Sequence, residues 1–184
     1  MRLMKTLHAA TSPSRERPGK IRSSPQHAAT MSLAVLTFDN LQDYVGKPIG
    51  TSSWVEVPQS RIDAFAECTE DRQWIHIDIE RAKKESPFGA PVAHGFLTLS
   101  LIPITSYELL ANLKAKKSLN YGLDKLRFIA PVRAGSRIRN HMKLLAAEPR
   151  DDGWIQLRTE STIEIEGEEK PALVAISLSL VSPT

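Results

Sequence analysis

A chain of 184 residues is long enough for one domain with a substantial core and too short for two comfortable ones. Its hydrophobic fraction of 41% and charged fraction of 24% are ordinary for a globular protein, and the single cysteine, Cys68, excludes an intrachain disulfide and points to a reducing compartment, the cytoplasm. The net charge of +3 gives no support for nucleic-acid binding, because residues 1–30 carry six basic side chains against Glu16, or +5, which leaves the remainder of the chain at −2. No apolar run approaches the roughly 18 residues needed to cross a bilayer, so neither nucleic acid nor a membrane is an expected partner.

Residues 1–30 are rich in Ser, Thr, Pro, Arg and Ala, poor in acids and without apolar periodicity, and are expected to be a disordered basic tail. Such a tail is either a transit peptide, with organellar import, or an upstream extension from a mis-assigned start, since Met31 immediately precedes domain-like sequence. Residues 31–184 then form a single domain. A short amphipathic helix is predicted over 38–45, ended by Gly46-Lys47-Pro48, and a strand over Trp54–Val57. Ser60 with Asp63 resembles a capping-box start, with Ile62, Phe65 and Ala66 on one face of a helix ending near Thr69. Cys68 is expected to be a packing residue of that helix.

Asp78 is a good N-cap for a second short helix through Arg81 to Lys84, after which Pro87, Gly89 and Pro91 hold a loop. A long helix follows from His94-Gly95 to about Asn112; it is apolar on nearly every face and therefore expected to be buried, with a kink at Pro103. The C-terminal third alternates apolar and polar residues in long strands joined by short connections. Ile138, Met142 and Leu144 face one way, and Arg137, Arg139, His141 and Lys143 the other, which assigns His141 to a solvated face. The order of elements gives an α+β layer, one long helix against a curling antiparallel sheet. Several long strands in an open sheet need their edges paired, which points to a dimer.

Chemistry is expected where the long helix begins. Asp71 and His76, five positions apart in the turn after a helix, can reach one water molecule, and an imidazole with an ordinary pKa near 6.5 can exchange its proton at neutral pH. Gly95 offers an unhindered backbone N–H at a helix start, where developing negative charge on a carbonyl oxygen is favoured. Capping and surface solvation are the competing explanations for the pair. His94 is more often a hydrogen-bonded structural residue than a base, and Trp74 either walls a substrate pocket or anchors the turn. No His-x-x-x-His or Cys-rich spacing supports a metal site, and no P-loop, dinucleotide fingerprint or Gly-x-Ser-x-Gly elbow is present.

The stretch Phe65 to Asp78, the Ser86-Pro-Phe-Gly89 loop and Ala93-His-Gly-Phe-Leu-Thr-Leu-Ser100 resemble the MaoC-like dehydratases, the (R)-specific enoyl-CoA hydratases, and within them the nodulation-protein-N-like subgroup. Asn120 to Asp124, Arg127-Phe128, Gly135-Ser136 and Glu164 to Pro171 extend the likeness over about 33–181. The family motif is Asp-x-Asn-Pro-hydrophobic-His followed by His-Gly. Asp71, Ile75, His76 and His94-Gly95 match it, while Gln73 and Trp74 replace the Asn and Pro. The resemblance implies a hot-dog fold, the long central helix wrapped by a curved antiparallel sheet, and reversible hydration of a trans-2-enoyl thioester. Asp71 and His76 would be catalytic, and Gly95, His94, Trp74 and Gln73 would line the oxyanion and substrate site. It also implies no metal or redox cofactor, coenzyme A or acyl carrier protein as part of the substrate, and a homodimer. A thioesterase on the same fold and a non-catalytic acyl-binding subunit are the alternatives.

Overall fold

Strict alternation in the C-terminal third builds the sheet. In the computed structural model, which describes residues 35–183, the expected disordered tail lies outside the described residues. Strands β1 (Pro48–Thr51), β2 (Val55–Val57), β3 (Lys117–Phe128), β4 (Ser136–Pro149), β5 (Ile155–Ile165) and β6 (Leu173–Ser182) form one antiparallel sheet in the order β1-β4-β5-β6-β3, with β2 also paired to β4. Along β5 every second residue from Leu157 to Ile165 is buried and the others are half-buried, so period 2 sets which face meets the core. The long β4–β5 and β5–β6 registers, Ile138 opposite Ile165 and Ile163 opposite Leu173, place these apolar residues on one side.

On that side lie the helices. Helix α1 (Gln59–Thr69) starts two residues after β2, α2 (Trp74–Ile77) and α3 (Ile79–Glu85) follow, and α4 (Gly95–Ser100) and α5 (Ile102–Leu109) lead to a 3-10 turn at Ala111–Leu113. Asp78 caps α3 as expected, its side chain accepting from Arg81 N at 3.0 Å. The core has two apolar clusters. Leu97, Ile102, Ile138, Ile163 and Leu173 belong to the first; Leu109, Leu113, Met142, Leu144 and Leu157 belong to the second, with Leu41 of the N-terminal 3-10 segment Phe38–Tyr44 and Leu36 just before it.

Several expectations need correction. The long helix is two, broken at Leu101, and Pro103 sits in the first turn of α5, where a missing N–H costs nothing. Its apolar residues are not all buried: Phe96, Ile104 and Tyr107 are 64%, 55% and 68% exposed. Helix α1 begins at Gln59 behind an extended Pro58, so Ser60 is inside it and caps nothing. Cys68 is exposed, off the face carrying Ile62 and Ala66, and is not a packing residue. His141 is not simply solvated: its Nε2 meets Glu164 Oε2 at 2.5 Å and its Nδ1 meets Thr51 Oγ1 at 3.0 Å. Burial alone would raise the Glu164 carboxyl, but hydrogen bonds from Arg139 and His141 hold it below its ordinary value.

Candidate active site

Helix α1 is stopped by Glu70, which takes the left-handed conformation (φ 62°) and turns the chain toward Asp71. Asp71 is exposed, and Arg72 behind it pairs with Glu67 at 2.8 Å on the surface. Gln73 is exposed and its carbonyl accepts from His76 N at 3.0 Å, opening α2. One turn of helix then carries His76 inward while Trp74, half-buried, lies under the Arg81 guanidinium, 4.3 Å from the ring centroid. That cation–π contact ties α2 to α3.

The segment before α4 closes on α2 by two bonds. Val92 N donates to Ile75 O at 3.1 Å, and His76 Nδ1 lies 2.6 Å from Val92 O. A carbonyl only accepts, so Nδ1 carries the hydrogen and the neutral ring presents its lone pair at Nε2. Burial holds the His76 imidazole below its ordinary value; the Val92 carbonyl opposes this, His94 adds to it, and the Asp71 carboxylate opposes it again. The net direction keeps His76 neutral at pH 7, with a basic nitrogen free.

His94, 3% exposed, precedes α4 and stacks on His76 with ring centroids 3.7 Å apart. Its Nε2 donates to Asp71 O at 2.9 Å and lies 3.9 Å from Asp71 Oδ2, while its buried Nδ1 has no partner among the described residues. One ligating atom each of Asp71, His76 and His94 falls within 4.8 Å of the others. The loop geometry thus brings the expected pair, Asp71 and His76, together with His94, which the sequence assigned a structural place. The same trio offers donors to a metal ion, although each imidazole already commits one nitrogen to a carbonyl.

Gly95 opens α4 beside this trio. A Cβ there would stand 3.0 Å from Phe128 Cδ1 and Cε1, so the residue is glycine because an aromatic ring from the end of β3 packs against its backbone. Phe128 also meets Phe96 edge-on at 5.6 Å. Four residues further along α4, Leu99 and Ser100 line one end of a cavity of about 600 Å³ between the helices and the inner sheet face. Trp74 does not line it. The sequence reading did not find this cavity, and the signal available for it was the run of Ser and Thr at inward-facing strand positions.

Comparison with known proteins identifies the family. The family described as MaoC like domain matches residues 40–164. The chain is 42% identical over 145 residues to 3-hydroxyacyl-thioester dehydratase Z of Mycobacterium tuberculosis (strain ATCC 25618 / H37Rv), covering 77% of this chain and 95% of that protein. It is 40% identical over 147 residues to Nodulation protein N of Rhizobium leguminosarum bv. viciae, covering 79% of this chain and 91% of that one. Among solved structures, a monoamine oxidase regulatory protein from Archaeoglobus fulgius superposes with a TM-score of 0.63 at 26% identity, over 73% of this chain and 88% of that one. A hot-dog-type α+β domain with an Asp-His pair beside a His-Gly helix start, matched over most of its length by these relatives, belongs to the MaoC-like dehydratase family.

Proposed function

We propose that the protein is a hydro-lyase acting on acyl thioesters, adding water across a trans-2-enoyl thioester to give the (R)-3-hydroxyacyl thioester and removing it in reverse. The observation that carries this reading is the tautomer of His76. Its Nδ1–H is fixed on Val92 O, its Nε2 is free, and the Asp71 carboxylate stands next to it. Asp71 and His76 hold one water and take its proton; the hydroxyl bonds to the β-carbon, and the proton returns to the α-carbon. The Gly95 N–H receives the thioester oxygen as charge develops on it. His94 positions Asp71 through the backbone bond, and Gln73 and Trp74 frame the turn. The acyl chain extends from Gly95 along α4 into the cavity. The reading invokes no metal or redox cofactor, and coenzyme A or acyl carrier protein enters as part of the substrate.

The working unit is a homodimer in the cytoplasm. Among the described residues strand β3 is a sheet edge paired only to β6, exposed along almost its whole length, with Leu119, Tyr121 and Leu123 at 54%, 55% and 44%. A long exposed edge with apolar side chains calls for a partner strand, and a second β3 around a two-fold axis supplies one. The test is incubation with crotonyl-CoA, following loss of the conjugated enoyl thioester and release of free thiol. A hydratase removes the conjugation without freeing thiol. Thiol release with the double bond intact would replace the reading by a thioesterase.

A further inference from the structure

The core is not continuously apolar. Between its two apolar clusters runs a polar belt that crosses four elements: Thr105 on α5, Asn140 on β4, Thr159 and Ser161 on β5, and Ser177 and Ser179 on β6. On each element the belt replaces the aliphatic residue that the pattern calls for. Ile102 and Leu109 flank it on α5, Ile138 and Met142 on β4, Leu157 and Ile163 on β5, and Ala175 and Val181 on β6. Thr159 stands opposite Ser177, and Leu157 opposite Ser179, so the hydroxyls form one patch. Thr159, Ser177 and Ser179 face the cavity of about 600 Å³.

The belt is not satisfied by the protein. Asn140 donates to Thr105 Oγ1 at 3.1 Å, yet among the described residues its Oδ1 has no partner and neither has the Ser161 hydroxyl; both residues are 0% exposed and neither lines the cavity, to which the belt contributes Thr159, Ser177 and Ser179. Unpaired polar groups in such a place destabilise the fold, and buried ones nearly always find a partner. A cavity shaped for a plain alkyl chain would carry on the belt the aliphatic lining it has on either side. Leu99 and Ser100, the α4 residues that line the cavity, lie four and five residues from Gly95, roughly 6–7.5 Å along the helix, so a chain meets the cavity only beyond about its fifth or sixth carbon.

Resting on the hydratase reading, we propose that the enzyme selects acyl chains bearing an oxygen, hydroxyl or keto, on their distal half, which the belt hydroxyls of Thr159, Ser177 and Ser179 in the cavity wall hydrogen-bond. A site built to bond a substrate hydroxyl discriminates against the chain that lacks it, because its own groups are then left dry.

The test compares trans-2-dodecenoyl-CoA with the same thioester carrying a hydroxyl at C10 or C11, as the ratio of the two kcat/KM values within one protein, in wild type, Thr159→Val and Ser177→Ala. The ratio cancels any loss of folded enzyme, and the two variants stand in for each other if one folds poorly. The wild type should favour the hydroxylated chain about tenfold or more, with the ratio falling toward one in either variant. A wild-type ratio at or below one, as expected if water alone fills the belt, overturns the proposal, as does a ratio that neither variant moves. Crotonyl-CoA is too short to reach the belt: if it is hydrated while the ratio is one, only the selectivity is lost. If no enoyl thioester is hydrated, the hydratase reading fails with it.

Discussion

Replacing Gly95 by Ala sets two known effects against each other. Ala is a better helix former than Gly by up to about 1 kcal/mol in a helix interior, and at the first residue of α4 the gain is smaller. Against it, the new methyl would sit at 3.0 Å from two Phe128 ring carbons and 3.1 Å from a third, a few tenths of an ångström inside ordinary contact. Overpacking a rigid neighbour costs about 1–3 kcal/mol. Phe128 is 45% exposed and can swing outward, so the lower end applies. The expected net is a loss of up to about 1 kcal/mol, a drop in Tm of some 2–4 °C for a domain of this size. Thermal and urea unfolding of Gly95→Ala, Phe128→Ala and the double variant form a cycle in which the loss at Gly95 disappears once the ring is gone, a coupling of at least about 0.5 kcal/mol. A rise in Tm for Gly95→Ala of 2 °C or more, the outcome of helix propensity acting alone, would refute the argument that Phe128 is what requires glycine here.

The pH profile of enoyl-thioester hydration should show an acid limb whose apparent pKa lies below 6.5, because burial lowers His76 and only its neutral form has a free Nε2; a limb above 6.5 assigns the base elsewhere. The same shift makes the unfolded chain the better proton acceptor, so His76's contribution to stability is present above 6.5 and is lost as pH falls through its folded value, which denaturant titrations across that window should follow. Leu144→Ala, at a fully buried position on β4, should cost about 2–5 kcal/mol by denaturant unfolding. Sedimentation should give twice the 20.4 kDa protomer mass, and Leu119→Lys with Leu123→Lys should return the protomer mass; a wild-type monomer at micromolar concentration contradicts the β3 interface.

Much of the site was legible because it is local. Asp71, His76, His94 and Gly95 lie within 25 residues of sequence, and the helix-turn-helix-loop path between them is written in Asp78, Pro87, Gly89 and Pro91. Strands β4 and β5 were legible for a similar reason, since each writes its own alternation. What sequence does not give is register. His141 stands on the outward parity of β4, and only the pairing of Arg139 with Glu164 brings that carboxylate within its reach. The belt needs two strand registers and the packing of α5 at once, because a Thr or Ser at an inward position looks like an isolated irregularity until Asn140, Ser161 and Ser177 fall beside one another. Proline misled in both directions: Pro58 precedes α1 where Ser60 looked like its cap, and Pro103 lies in the opening turn of α5, where a kink in one helix was expected. The short strand β1 went unread, its four residues giving too little alternation to detect.

The central claim is that Asp71 and His76 act as one unit on one water. Its most direct test is the hydration rate of a trans-2-enoyl-CoA by Asp71→Asn, His76→Gln and the double variant, with circular dichroism and melting to show that each remains folded. Each single variant should lose roughly 10²–10⁴ in kcat, and the double should lose little more than either, since a unit missing one member has already lost its function. A folded single variant that keeps more than about half the wild-type rate, against the ~10²-fold minimum expected of a general acid/base, would contradict the account.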